Sequence, residues 1–255
     1  MKQRKDQVGI DGENLIEEIA SKVFFGEFVF NELWFIHKDI KQGTNVELAD
    51  LIISIGNDFL AFQVKTREEN KTSDREKSWV KNQIKKAKTQ LVDTFNYLKV
   101  DRLPEFVNKK GDAINFGIGG LFSGIIVLNN EKVCEYPKVI SCNRVQGVFH
   151  CFTKKDFDIC CDKLVLPKEI LEYLFYRERY YEVDKEEAEG EEVCLDKFLI
   201  HKYGVCSFNN SSIETFKWIL NNYRERLIEE NRGLFNIGKL CKCSHCLKGL
   251  KWILL

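Results

Sequence analysis

The chain has 255 residues, of which 44% are apolar and 31% charged, and its formal net charge is zero. That is enough apolar material for one large core, or a core with a small appendage. A neutral balance excludes a global basic field, so any nucleic-acid contact must come from a local patch; no run approaches the about 20 apolar residues of a membrane-spanning helix.

The N-terminus, MKQRKDQVGIDGEN, is basic with no apolar stretch behind it. This predicts no signal peptide and a cytoplasmic protein, so the ten cysteines read as reduced thiols. Residues 11–23 predict a helix with Asp11 as N-cap and an apolar stripe of Leu15, Ile16, Ile19, Ala20 and Val23. Residues 28–36, FVFNELWFI, predict a strand, and Asn45 to Ile55 a second one. Gly56-Asn57-Asp58 signals a turn, and Phe59 to Arg67 predicts a third strand. A long helix from about Trp79 to Leu98 follows, apolar at Val80, Ile84, Ala87, Leu91, Phe95 and Leu98 and basic at Lys81, Lys85, Lys86 and Lys88. SGIIVLN within 114–128 predicts a buried strand, and 148–152 another. Phe157 to Tyr181 predicts helix, with a break at Pro167. The acidic run DKEEAEGEE is the linker candidate. The resulting division is a main domain over 1–182, a linker over 183–192 and a small segment over 193–255, with an amphipathic helix near 212–229.

The stretch VELADLIISIGNDFLAFQVKTRE poses a chemical question. Asp50, Ile52 and Ser54 share one strand face; Phe59, Ala61, Gln63, Lys65 and Arg67 share the matching face of the next strand. A turn at Asn57-Asp58 sets Asp50 opposite Lys65, and a turn at Gly56-Asn57 sets it opposite Gln63. Either register gathers three polar side chains on one face, while Leu51, Ile53, Ile55, Leu60, Phe62 and Val64 leave the other wholly apolar and ready to receive one of the two helices. Asp50 offers a carboxylate, Gln63 an amide oxygen and Val64 a backbone carbonyl to a hard divalent ion. Lys65 suits the orientation of a water or the charge growing on a phosphate, and Glu13 adds a second carboxylate if its helix docks beside the sheet. The plainer reading makes Asp50–Lys65 a cross-strand ion pair and Glu13 a helix-start carboxylate. Glu47 falls on the other face of a regular strand, as a structural residue or a backup ligand.

The order helix with Glu13, strand with Asp50, strand with Gln63-x-Lys65, then helix, resembles the PD-(D/E)XK nuclease superfamily, and its Gln-x-Lys form is similar to Mrr-type and nuclease-related-domain proteins. Ala49 stands where the superfamily pattern has proline. The resemblance covers residues 9–98 and implies an α/β restriction-endonuclease-like core, a mixed sheet flanked by helices and followed by a helical continuation. It implies a Mg²⁺- or Mn²⁺-dependent nuclease, acting on DNA ahead of RNA, in restriction or phage defence. Glu13, Asp50, Gln63 and Val64 would hold the ion, and Lys65 would assist the nucleophile. A homodimer and a separate ATPase or helicase chain are the implied partners. The alternative is a catalytically silent nuclease fold that binds nucleic acid or a partner protein.

Arg67, Lys81, Lys85 and Lys88 are candidate phosphate contacts, against the plain reading of a solvated helix face. Gln83 and Gln90 lie seven apart on that helix as candidates to reach the site, or as solvated positions. Near the C-terminus, Cys241, Cys243, His245 and Cys246 include zinc-like C-x2-C spacing without a clear second pair. Cys206 or His201 would have to complete a structural Zn²⁺ site; free tail thiols are the plainer reading. Cys134, Cys142, Cys151, Cys160, Cys161 and Cys194 read as small core residues.

Overall fold

The computed structural model describes residues 7–24, 28–31, 33–36, 45–55, 58–67, 76–99, 105–108, 111, 113–114, 122–145, 147–164, 166–183 and 190–203. The chain divides into two units, Met1–Cys206 and Ser207–Leu255. All of the second lies outside the described residues, and with it the expected helix near 212–229 and the Cys241, Cys243, His245, Cys246 cluster. Cys206 also lies outside them.

The first unit is an α/β structure in chain order: α1 (Gln7–Phe24), β1 (Val29–Asn31), β2 (Trp34–Ile36), β3 (Asn45–Glu47), β4 (Leu51–Ile55), β5 (Asp58–Thr66), α2 (Glu76–Leu98), β6 (Phe106–Val107), β7 (Ala113–Ile114), β8 (Phe122–Asn129), β9 (Val139–Cys142), β10 (Gly147–Thr153), α3 (Lys154–Lys163), α4 (Pro167–Val183) and α5 (Glu191–Tyr203). Six strands form one mixed sheet in the order β1-β4-β5-β8-β10-β9. Its centre, β5-β8-β10, is parallel, and antiparallel neighbours flank it on both sides. Strands β5 and β8 are the apolar runs FLAFQV and GIIVL, as expected of parallel strands covered on both faces. Among the described residues, two small ribbons, β2-β3 and β6-β7, complete the strands.

Helix α1 packs on the face expected to be wholly apolar. Ile16, Ile19, Ala20, Val23 and Phe24 meet Leu51, Ile53, Leu60, Phe62 and Val64, with α3, α4 and α5 in the same core. Helix α2 covers the opposite face, where Val80, Ile84, Ala87 and Leu91 meet Ile52, Phe59, Ala61 and Ile126. The polar set Asp50, Gln63, Lys65 therefore lies on the α2 side. Gly124 of β8 lets the layers close there, since a Cβ would fall 2.5 Å from Phe149 and 2.9 Å from Leu91.

Several expectations are corrected. Asp11 is no N-cap: α1 already begins at Gln7, whose Nε2 donates to Asp11 Oδ1 at 2.8 Å. Glu13 consequently lies in the second turn, not the first, and the helix-start account of its charge falls away. The strand expected over 28–36 is two, β1 in the main sheet and β2 in a ribbon. The strand expected over 45–55 is also two, broken at Leu48–Asp50. The acidic run does not separate two bodies at its C-terminal end, because Glu191 and Glu192 open α5 within the first unit and Glu191 is buried. Cys134 is exposed, whereas Cys142, Cys151, Cys160, Cys161 and Cys194 are buried. The break at Pro167 separates α3 from α4 as read. Among the described residues, no helix is long and apolar enough to cross a membrane.

Candidate functional site

The pairing of β4 with β5 decides between the two registers. Ile55 faces Asp58 and Leu51 faces Phe62, the register that sets Asp50 opposite Gln63. Asp50 thus sits beside Gln63, one residue beyond the last paired position. The ladder is finished there by a side chain. Asp50 N donates to Phe62 O at 3.2 Å, and Asp50 Oδ2 accepts Val64 N at 2.7 Å. A strand residue sends its N–H and C=O to the same edge, so the Val64 carbonyl leaves β5 on the Asp50 side.

The break preceding Asp50 is held from two directions. Leu48 N donates to Leu33 O at 2.8 Å, and Thr94 Oγ1 of α2 donates to Leu48 O. The interruption cancels the alternation that a regular strand would impose, so Glu47 and Asp50 no longer point to opposite faces. Glu47, Asp50 and Glu13 each offer a carboxylate oxygen, and these atoms all lie within 4.8 Å of one another. Three chain elements thus converge: α1, the end of β3 and the lead-in to β4.

Gly12 brings Glu13 into reach. A Cβ at position 12 would stand 2.0 Å from Thr66 Oγ1 and 3.2 Å from Asn129 Nδ2, so α1 lies directly on the C-terminal ends of β5 and β8. Alanine is about 1 kcal/mol better than glycine within a helix. Gly12→Ala is nevertheless expected to lower stability, because the new methyl must push α1 off β5, and to weaken any function that needs Glu13 beside Asp50. A raised melting temperature with unchanged function would show that the close approach has no such role.

Lys65 completes the cluster. Its Nζ donates to Gln63 Oε1 at 2.8 Å and lies 3.6 Å from Asp50 Oδ2, with only 10% of the Lys65 side chain and 4% of the Asp50 side chain exposed. Lys65 offsets the charge of Asp50. Two carboxylates within 5 Å repel by roughly 3 kcal/mol or more at an effective dielectric near 20. The donors are all oxygen, with no thiol or imidazole among them, which fits Mg²⁺ or Mn²⁺ and not Zn²⁺.

The other candidates fare unevenly. Arg67 has its guanidinium 5.7 Å from the Trp79 ring, which ties the end of β5 to the start of α2. Lys81, Lys85 and Lys86 are exposed on α2. Lys88 Nζ donates to Ser141 O at 2.7 Å, joining α2 to the edge strand β9. Gln83 is half-buried. Gln90 is not simply solvated, because its Oε1 is buried and, among the described residues, lacks a hydrogen-bond partner. It lies one helical turn before Thr94, on the flank that reaches Leu48. His201 lies exposed on α5, its ring 6.0 Å from that of Tyr176.

Sequence reasoning passed over Gly12 and Thr94, the two α-helical residues that set the distances here. A glycine inside a strongly amphipathic helix is the one signal that pointed to the first. Comparison of the chain with protein-family models, curated proteins and solved structures gives no significant match.

Proposed function

We propose that the protein is a metal-dependent nuclease with a restriction-endonuclease-like core, hydrolysing phosphodiester bonds, with DNA as its first-choice substrate. The observation that supports this reading is the convergence of Glu13, Glu47 and Asp50 with Lys65 where β4 and β5 part. Glu13 and Asp50, with the Val64 carbonyl, would hold Mg²⁺ or Mn²⁺. Bound there, such an ion supplies Lewis acidity towards the phosphate and lowers the pKa of water.

The chain's own groups do the rest. Lys65 is anchored by Gln63 and presents an ammonium beside the carboxylates, suited to stabilising charge that grows on phosphate oxygens. Asp50 is locked to β5 through Val64 N, so its carboxylate cannot swing away. The exposed Lys81 and Lys85 of α2, and Arg67 at the end of β5, are the cations available for sequence-independent contact with the phosphate backbone.

The test is cleavage of linear duplex, circular duplex and single-stranded DNA, and of RNA, by the purified protein and by Asp50→Asn. Each is run with Mg²⁺, with Mn²⁺ and with chelator. Cleavage that needs the metal and is lost in Asp50→Asn is the expected result. Cleavage surviving both chelator and substitution would remove Asp50 from the chemistry. Neither cleavage nor cation binding by the wild-type protein would leave the silent-fold alternative.

A further inference from the structure

Arg67 stands two residues beyond Lys65 and is held in a different way. Strand β5 ends at Thr66, but Arg67 N still donates to Asn129 O at 3.4 Å. The extended backbone therefore runs on, and alternation returns Arg67 to the face of Gln63 and Lys65. Trp79 agrees with that placement. It lies near the start of α2, the helix that covers this face, and packs against the core there. The Arg67 guanidinium is 5.7 Å from the centre of the Trp79 ring, within cation–π range. A ring anchored in the core makes a fixed plate, so a guanidinium resting on it has less freedom to lose when it binds something else. Among the described residues no carboxylate pairs with Arg67, and none of its side-chain N–H donors is spent. Lys65 is different: its Nζ donates to Gln63 Oε1 and lies 3.6 Å from Asp50 Oδ2. A half-buried guanidinium with its donors unspent is fitted to take an anion.

Resting on the nuclease reading above, we infer that Arg67, steadied by Trp79, grips the phosphate one nucleotide away from the phosphate at Lys65. Two residues along a strand span roughly 7 Å, comparable to the spacing of neighbouring phosphates on one nucleic-acid strand. A guanidinium suits the task, because its fork can give two parallel N–H bonds to one phosphate. The substrate is then a strand with consecutive phosphates, and an isolated phosphodiester fills only part of the site. Trp79 is a positioning residue that acts through Arg67 and needs no contact of its own with the substrate.

The experiment measures binding of a labelled duplex oligonucleotide to the full chain, in chelator and across a range of salt. Cleavage of the same DNA and of bis(p-nitrophenyl) phosphate in Mn²⁺ is followed alongside. The variants are Arg67→Gln, Trp79→Leu and the two combined. Arg67→Gln is expected to weaken DNA binding about tenfold and to reduce the slope of log affinity against log salt by about 1, the loss of one phosphate contact. Its DNA cleavage should fall by more than its hydrolysis of the small diester, which has no second phosphate to hold. Trp79→Leu keeps the charge, so it is expected to keep the salt slope while weakening binding about threefold. That weakening should vanish when Arg67 is already Gln. Should Arg67→Gln fail to fold, Arg67→Met, whose side chain can still cover the Trp79 ring, carries the same expectation. An unchanged slope in the Arg67 variants, equal losses on DNA and the small diester, or a Trp79→Leu effect that persists without Arg67 overturns the inference, as does a wild-type protein that binds no DNA. Weakened binding in Arg67→Gln, with no cleavage by the wild-type protein, keeps the phosphate grip and overturns the nuclease reading instead.

Discussion

Lys65→Met is expected to lower metal-dependent cleavage by about 10²–10⁴-fold, the range lost when a positioned proton-transfer or charge-stabilising group is removed. Methionine keeps most of the side-chain volume, so the core against α2 stays filled. The same substitution should leave Mn²⁺ binding intact or tighten it, because the ammonium 3.6 Å from Asp50 Oδ2 no longer opposes a cation there. It should also lower stability in the absence of metal. Breaking a buried pair by removing one partner costs up to about 3–5 kcal/mol. Asp50 retains the Val64 N–H, so the loss here should fall at or below the bottom of that range. Added Mn²⁺ should then restore part of the melting temperature, since the ion takes over the counter-charge. A purely structural Asp50–Lys65 pair predicts something different: the same stability loss, no recovery with Mn²⁺, and no cleavage to lose. Intact cleavage in Lys65→Met would sink the assigned role.

How much of this was legible depends on the range of the forces involved. The apolar stripe of α1, the alternation of Leu51, Ile53, Leu60 and Phe62, and the stop at Pro167 are local patterns, and each one matches an element of the fold. The strand register could be narrowed to two choices, and backbone pairing selects the one that sets Asp50 opposite Gln63. Asp50, Gln63 and Lys65 were found together because that alternation is short-range. Glu47 was placed on the wrong face for the same reason. Nothing in VELADLII marks a break, and the break is fastened by Leu33 and Thr94, which bind Leu48 from elsewhere in the chain. Asp11 misled because an N-cap is worth only about 1 kcal/mol, too little to end a helix that already has four more residues before it. The Lys88 bond to Ser141 O was invisible in the sequence because its long stem reaches an edge strand more than fifty positions away.

The residue most hidden in the sequence is Arg177, which sits in FYRERYY like one of many surface charges and is in fact fully buried. Its Nε and Nη2 donate to the two oxygens of Glu191 at 2.6 and 2.9 Å, while Nη1 reaches Lys138 O and Nη2 reaches Cys151 O, each at 2.6 Å. Glu191 also accepts Tyr173 OH at 2.5 Å and Tyr181 OH at 3.3 Å. One bidentate pair thus fastens the start of α5 to α4 and to strand β10. Glu191→Ala is expected to cost about 3–5 kcal/mol, because it strands a buried guanidinium. That is a large share of the roughly 5–15 kcal/mol that holds a domain together. The double variant Arg177→Met, Glu191→Leu should cost far less than the sum of the single changes, since neither charge is left alone. Chemical denaturation of the three proteins measures this, and an unchanged midpoint in Glu191→Ala would show that α5 does not depend on the pair. The same cluster sets an acid limit. Burial, with Arg177 Nη1 3.4 Å from its Nδ1, holds His150 well below the usual histidine range and therefore neutral. The unfolded chain then takes up the proton that the folded one refuses. Stability is full above about pH 6.5 and falls below it by up to about 1.4 kcal/mol per pH unit for this group. Denaturation midpoints between pH 7 and 5 should therefore decline more steeply in the wild-type protein than in His150→Gln, which has no proton to gain.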